Sequence, residues 1–262
     1  MKQELIDELI DILEYNLNEN AIKLEQVKEL LPIKSFAKTK KEIESLGFSI
    51  NDFQYTGINA MPFRLVKGIT ILDILELNKD YLEFMEAEKR ILSQREFCND
   101  YLLNDDFNGF IEFLDKRIKL EAYKVFYEFI PLSERYSIFR NIYARMEYGF
   151  RDDKDFLKTC FKDRFESEEW IEAISNLKNE VGDKKLITIF RGEGSKSTHY
   201  EDAYSWSLKK KTATFFADRF NDRGKIYKAQ ISITDVVDYI NQRSEYEVLV
   251  EADKLKNITR VR

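Results

Sequence analysis

Leu186-Ile187-Thr188-Ile189-Phe190-Arg191-Gly192 marks the point where the texture of this 262-residue chain changes. A short run rich in β-branched residues, closed by a glycine, predicts a strand. Downstream, Ala203 to Leu208 reads as a second strand. From Lys225 to Ile233, Ile226, Lys228, Gln230 and Ser232 alternate with Tyr227, Ala229, Ile231 and Ile233. That is the two-residue period of a half-buried strand. Val248-Leu249-Val250 closes a fourth, and Gly192, Gly194 and Gly224 fall at the turns.

Upstream of this region the period is helical. Leu5, Ile6, Leu9, Ile10, Ile12 and Leu13 recur every three or four residues, and Leu24, Val27, Leu30 and Leu31 repeat the pattern until Pro32. Proline lacks the N–H that a helix interior needs and ends the run. From Leu72 to Phe150 long helical stretches rich in Phe, Tyr and Leu dominate, interrupted near Asn104-Asp105-Asp106 and Pro131. Their aromatic stripes read as core. Helices first, then a compact antiparallel-rich sheet, predict an α+β protein with a helical region over 1–130 and a second domain over 131–262.

Composition narrows the chemistry. Hydrophobic residues make up 44% of the chain and prolines number only three, so it can bury a core. No stretch approaches the roughly 18 uncharged apolar residues of a membrane helix. The amino terminus, with Glu4, Asp7 and Glu8, has no apolar signal core. Cys98 and Cys160 form no disulfide framework, so a reducing, cytoplasmic setting is expected. The one histidine, His199, rules out metal sites built from several His and Cys ligands. Acid–base work then falls to carboxylates. Residues 181–262 carry 16 Lys or Arg against 12 Asp or Glu, whereas residues 1–180 carry 26 against 36. A basic final third suits an anionic ligand. Gly192-Glu193-Gly194 lacks the third glycine of a dinucleotide fingerprint, and Gly194-Ser195-Lys196-Ser197 lacks the earlier glycine of a phosphate loop.

Three segments of the final third carry chemistry together. They are Phe190-Arg191-Gly192, then Ser205-Trp206-Ser207 followed by Ala213-Thr214-Phe215-Phe216-Ala217, then Glu245-Tyr246-Glu247. Each sits at a strand edge, in the order arginine, serine, paired glutamates. In this order they resemble the R-S-E class of mono-ADP-ribosyltransferases, the group that includes bacterial toxins and phage-conflict enzymes. The specific matches run from about Leu186 to Val250, and the helices from about Leu132 fit the same pattern. The first 130 residues match no recognised pattern.

The resemblance implies an ADP-ribosyltransferase-like antiparallel β-sandwich core, with NAD consumed as co-substrate and no metal. A guanidinium is a rigid fork of donors suited to a pyrophosphate, and the role falls to Arg191. Gly192, without a Cβ, would let its backbone approach the nicotinamide carboxamide. Cleavage passes through an oxocarbenium-like state, as in glycoside hydrolysis. Glu247 would stabilise it, braced by Ser205. Ser207 would stiffen the same strand, and Phe216 would stack on nicotinamide. Glu245, two residues before Glu247, would share its face of a strand and prepare the acceptor. Asn241-Gln242-Arg243-Ser244 resembles the family's recognition turn, and Lys209-Lys210-Lys211 reads as a solvated helix end.

The acceptor stays open at this point: protein arginine is favoured, and a nucleic-acid base or water are alternatives. An inactive relative serving as a binding module is the rival of a different class. An intracellular toxin-like role, in phage defence or opposed by a neutralising antitoxin protein, follows by analogy only. The leading helices would recognise the target, carry the antitoxin's surface, or simply extend the packing.

Overall fold

The computed structural model describes the chain except residues 1, 20, 32, 34, 146–152, 220–222 and 242–243. Pro32, the end of the helical run at Phe150, and Gln242 and Arg243 of the expected recognition turn therefore lie outside the described residues. The chain divides into two compact units, Met1–Ile130 and Pro131–Arg262.

In the first unit, α1 (Gln3–Glu19) buries Ile6, Leu9, Ile10 and Leu13, the predicted stripe, and α2 (Phe36–Glu44) follows. Here the sequence reading needs correction, because this region is not wholly helical. Strands β1 (Phe53–Tyr55), β2 (Phe63–Lys67) and β3 (Thr70–Ile74) form an antiparallel three-stranded sheet. Phe63 and Leu65 enter the core while Arg64 crosses to Asp73 at 3.1 Å on the opposite face. Strands of three to five residues offer too few alternations to stand out against neighbouring helical periods. Leu72, expected to open a helix, lies in β3. Helices α3 (Lys79–Phe84), α4 (Ala87–Leu103), α5 (Phe107–Phe113) and α6 (Lys119–Phe126) complete the unit. The side chain of Asn78 caps α3 by accepting from Tyr81 N at 2.8 Å, and Asp106 caps α5 from Gly109 N at 2.7 Å. Each cap satisfies an orphan amide of a first helical turn.

The second unit opens with α7 (Leu132–Arg145), α8 (Lys154–Asp163) and α9 (Glu168–Val181). Ser167 caps α9, and Glu168 and Glu169 complement its dipole. Then come β4 (Leu186–Glu193), β5 (Ser205–Ser207), α10 (Lys210–Asp218), β6 (Lys225–Ser232), β7 (Val236–Ile240), β8 (Glu247–Val250) and β9 (Lys256–Arg260). The sheet order is β7-β8-β5-β4-β6-β9, and every pairing is antiparallel. β7 and β9 went unread in the sequence. β9 is exposed at all five positions on the sheet edge, with Lys256 and Arg260 among them. Charged side chains there discourage edge-to-edge pairing.

One face of the sheet is core. Ile187, Ile189, Trp206, Tyr227, Ala229, Ile231, Val248 and Val250 pack together with Leu177 of α9. On the other face α10 sets Ala213 and Ala217 against Phe190 and Ile226. β4 and β5 share a single register pair, Phe190 with Ser207, so the six strands form two three-stranded halves joined at one point. Hydrogen bonds nonetheless run through all six strands as one sheet. The fold is α+β, mixing helices with antiparallel sheets.

Candidate active site

β8, β5 and β4 are neighbours, and this order brings the three distant segments together. Ser207 of β5 pairs with Phe190 of β4 on one side and Glu247 of β8 on the other. Arg191 follows Phe190 at the join and is 12% exposed. Its Nη1 donates to the carbonyl of Ser205 at 2.6 Å and its Nη2 to the carbonyl of Thr198 at 2.6 Å. One guanidinium thus clamps β4, β5 and the loop between them. Burial draws Arg191 below the ordinary arginine value, opposed by the charge of Glu193 and then by Tyr143 and Glu247.

Arg191 Nε and Glu193 Oε1 stand 3.8 Å apart, both buried, and neither makes a hydrogen bond. Buried polar groups are seldom left without a hydrogen bond, and here the opposite charges of the pair offset the loss.

The Ser205 side chain, on the strand beside β8, lies close enough to Glu247 to draw its carboxyl down. The Glu247 carboxyl is pushed up to about 7, chiefly by burial and further by the charges of Glu245 and Asp238, while the Ser205 side chain and Arg191 pull the other way. A carboxyl group poised near neutrality at a junction of strands is a recognised mark of functional sites.

Glu245 does not share a strand face with Glu247 as alternation suggested. β8 begins at Glu247, and Ser244 and Tyr246 have φ of 55° and 52°, in the left-handed region. The turn is nonetheless pinned. Ser207 Oγ donates to the carbonyl of Glu245 at 2.6 Å and accepts from Lys209 N at 3.1 Å. Leu208 N donates to the Tyr246 carbonyl at 3.0 Å, and Tyr246 N to Asn241 Oδ1 at 3.1 Å. Ser207, 5% exposed, is therefore committed to the backbone.

Gly192 has a packing reason to lack a side chain. A Cβ there would come within 1.8 Å of the Ala213 carbonyl and 2.7 Å of Ala217 N. The missing side chain admits α10. Phe216 lies on that helix, and its ring meets Phe215 edge-on at 5.4 Å. Phe215 itself is 63% exposed.

Sequence reasoning missed Tyr143. It lies on α7, and burial raises its hydroxyl well above the ordinary tyrosine value, with the charge of Glu247 next and that of Arg191 opposing. The phenol thus stays protonated within the electrostatic reach of both groups. Its segment, Asn141-Ile142-Tyr143-Ala144-Arg145, sits in an aromatic stripe of the kind that usually packs a core. Asp238 of β7 was also missed. Fully buried, it accepts from Arg140 Nε at 2.7 Å and from the Tyr136 hydroxyl at 3.2 Å. Arg140 Nη2 reaches the Tyr239 carbonyl, and Trp170 Nε1 the Val237 carbonyl. α7 and α9 therefore both hold the strand that backs β8.

Among the described residues, no group of His, Cys, Asp and Glu side chains could hold a metal ion, and no helix is long and apolar enough to cross a membrane. Surface depressions of about 640 and 360 Å³ lie along α1 in the first unit. The larger is walled by Glu4, Asp7, Glu8 and Asp11, which would repel a pyrophosphate. Comparison with protein-family models, curated proteins and solved structures finds no match to this chain.

Proposed function

We propose that the second unit is a mono-ADP-ribosyltransferase domain that cleaves NAD and transfers ADP-ribose to a macromolecule, with protein arginine the favoured acceptor. One observation carries the reading: the guanidinium of Arg191 donates to the carbonyl of Ser205, and Ser205 stands on β5 beside β8, where its side chain draws the Glu247 carboxyl down. Residues scattered over some sixty positions thereby meet at one strand junction. The β8-β5-β4 order supports the reading because it aligns the glutamate, serine and arginine strands side by side.

In this mechanism Arg191 supplies positive charge to the pyrophosphate from its remaining donors. The bond between nicotinamide nitrogen and the anomeric carbon breaks, its electron pair leaves with nicotinamide, and positive charge develops on the ribose. Ionised Glu247 stabilises that charge from a fixed position. An acceptor nitrogen then forms the new bond to the anomeric carbon, and Glu245 takes its proton. Tyr143 adds a protonated phenol whose burial helps exclude water.

A nucleic-acid base is the second reading of the acceptor, favoured by the basic balance of residues 181–262. The test is incubation with labelled NAD and cell lysate, following nicotinamide release and then digesting separately with protease and nuclease. Release with label freed by protease supports a protein acceptor, and label freed by nuclease moves the acceptor to nucleic acid. Release without labelled macromolecule makes the protein an NAD glycohydrolase. No release with or without lysate refutes the enzyme and leaves a binding module.

A further inference from the structure

We propose that Lys209 is a positioning residue that sets the direction of Glu245, and so the partition of the ribosyl group between water and the macromolecular acceptor. This rests on the transferase reading above. Glu245 is joined to Glu247 through Tyr246, whose φ of 52° places a side-chain-bearing residue in the left-handed region. Such a conformation is disfavoured for any residue with a Cβ and persists only where the surroundings hold it. The direction of Glu245 relative to Glu247 is therefore decided by whatever holds Tyr246.

Lys209 reaches that residue by two routes. Its ammonium lies 4.4 Å from the centre of the Tyr246 ring and, on its other side, bonds Glu180 Oε1 of α9 at 2.6 Å. Its own N–H donates to Ser207 Oγ, the hydroxyl that grips the Glu245 carbonyl. Glu180 thus anchors Lys209, Lys209 fixes the ring, and β5 fixes the backbone on either side of it. The hydrogen bond that Lys209 donates to Glu180 is the main reason its ammonium is held above its ordinary value, and that charge faces the ring. Within the Lys209-Lys210-Lys211 run, only the first lysine has this geometry in view, and the helix-end reading misses it.

The experiment compares the full chain with Lys209→Met, Lys209→Arg and Glu180→Gln. Backbone amide exchange is measured across residues 204–210 and 244–250, and labelled NAD with lysate gives the ratio of macromolecular label to free ADP-ribose. Lys209→Met is expected to speed exchange at Leu208 and Tyr246 and to lower the ratio about two- to fivefold, the scale of one cation–π contact. Glu180→Gln should follow in the same direction, Lys209→Arg should restore both readouts, and KM for NAD should stay unchanged. Unchanged exchange, or an unchanged ratio in an active enzyme, overturns the role of Lys209 and leaves the transferase reading standing. A wild type that releases no nicotinamide removes that reading and the partition with it, while the exchange data still report whether Lys209 holds the turn.

Discussion

Arg191 donates to the carbonyl of Ser205 at 2.6 Å, and Ser205 stands on β5 beside the strand that opens with Glu247. Burial lifts that acid to about 7. Several consequences can be measured.

The rate of nicotinamide release should follow the ionisation of Glu247. If the ionised form stabilises the ribosyl cation, the rate rises with pH through an apparent pKa near 7. Glu247→Gln should lower it by on the order of 10²–10³ at pH 8, where the wild-type carboxyl is ionised, and the gap should narrow as pH falls. A wild-type profile flat between pH 6 and 8 would remove Glu247 from the chemistry.

Stability carries the same signature with a defined sign. The folded carboxyl binds its proton more tightly than the unfolded one, so its contribution is fully present below the unfolded value and is lost as pH rises through about 7. Relative to Glu247→Gln, the wild type should therefore lose about 1–3 kcal/mol between pH 5 and 8. Urea unfolding of both proteins across that range measures the difference, and the opposite slope contradicts the assignment.

Gly192→Ala should unfold the second unit or displace α10. The added carbon would stand 1.8 Å from a backbone carbonyl that cannot swing aside. Overpacking of this kind costs about 3 kcal/mol or more. A melting temperature within 2 °C of wild type would mean that α10 does not sit on Gly192 as described.

Arg191→Lys should destabilise even without ligand. A lysine ammonium keeps the charge but not the planar fork that spans the Ser205 and Thr198 carbonyls. Losing one buried charge-assisted bond costs about 1.5–3 kcal/mol. Thermal unfolding without NAD isolates this structural role from ligand binding.

Arg140→Met leaves the fully buried Asp238 carboxyl without its cation. Breaking such a pair costs about 3 kcal/mol. Burial already raises Asp238 above the ordinary aspartate value, so protonation should return part of the loss at low pH. Denaturation at pH 4.5 and 7.5 checks this, and an equal loss at both values argues against an uncompensated carboxylate.

The second unit was legible where burial is one-sided. Lys225 to Ser232 alternates because one face of β6 packs on Trp206 and its neighbours, and the strand forms as read. α1 was legible for the same reason, with four buried residues on one stripe. β7 was not, since all five of its residues are buried and show no alternation. The short sheet of the first unit was hidden by strand length. At the site, residue types announced Arg191, Ser205 and Glu247, whereas Tyr143 and Asp238 gave no signal because a buried tyrosine and a paired aspartate look alike in any core.

By itself the sequence determined the local periods, the α+β order and the residue types able to carry charge at a strand end, because these depend on neighbours a few positions away. Tertiary structure alone decided that β5 lies between β4 and β8, that Gly192 makes room for α10, and that Tyr246 turns left-handed between two glutamates. Those outcomes depend on which surfaces meet across the sheet, and pairing between strands tens of residues apart leaves no periodic trace along the chain.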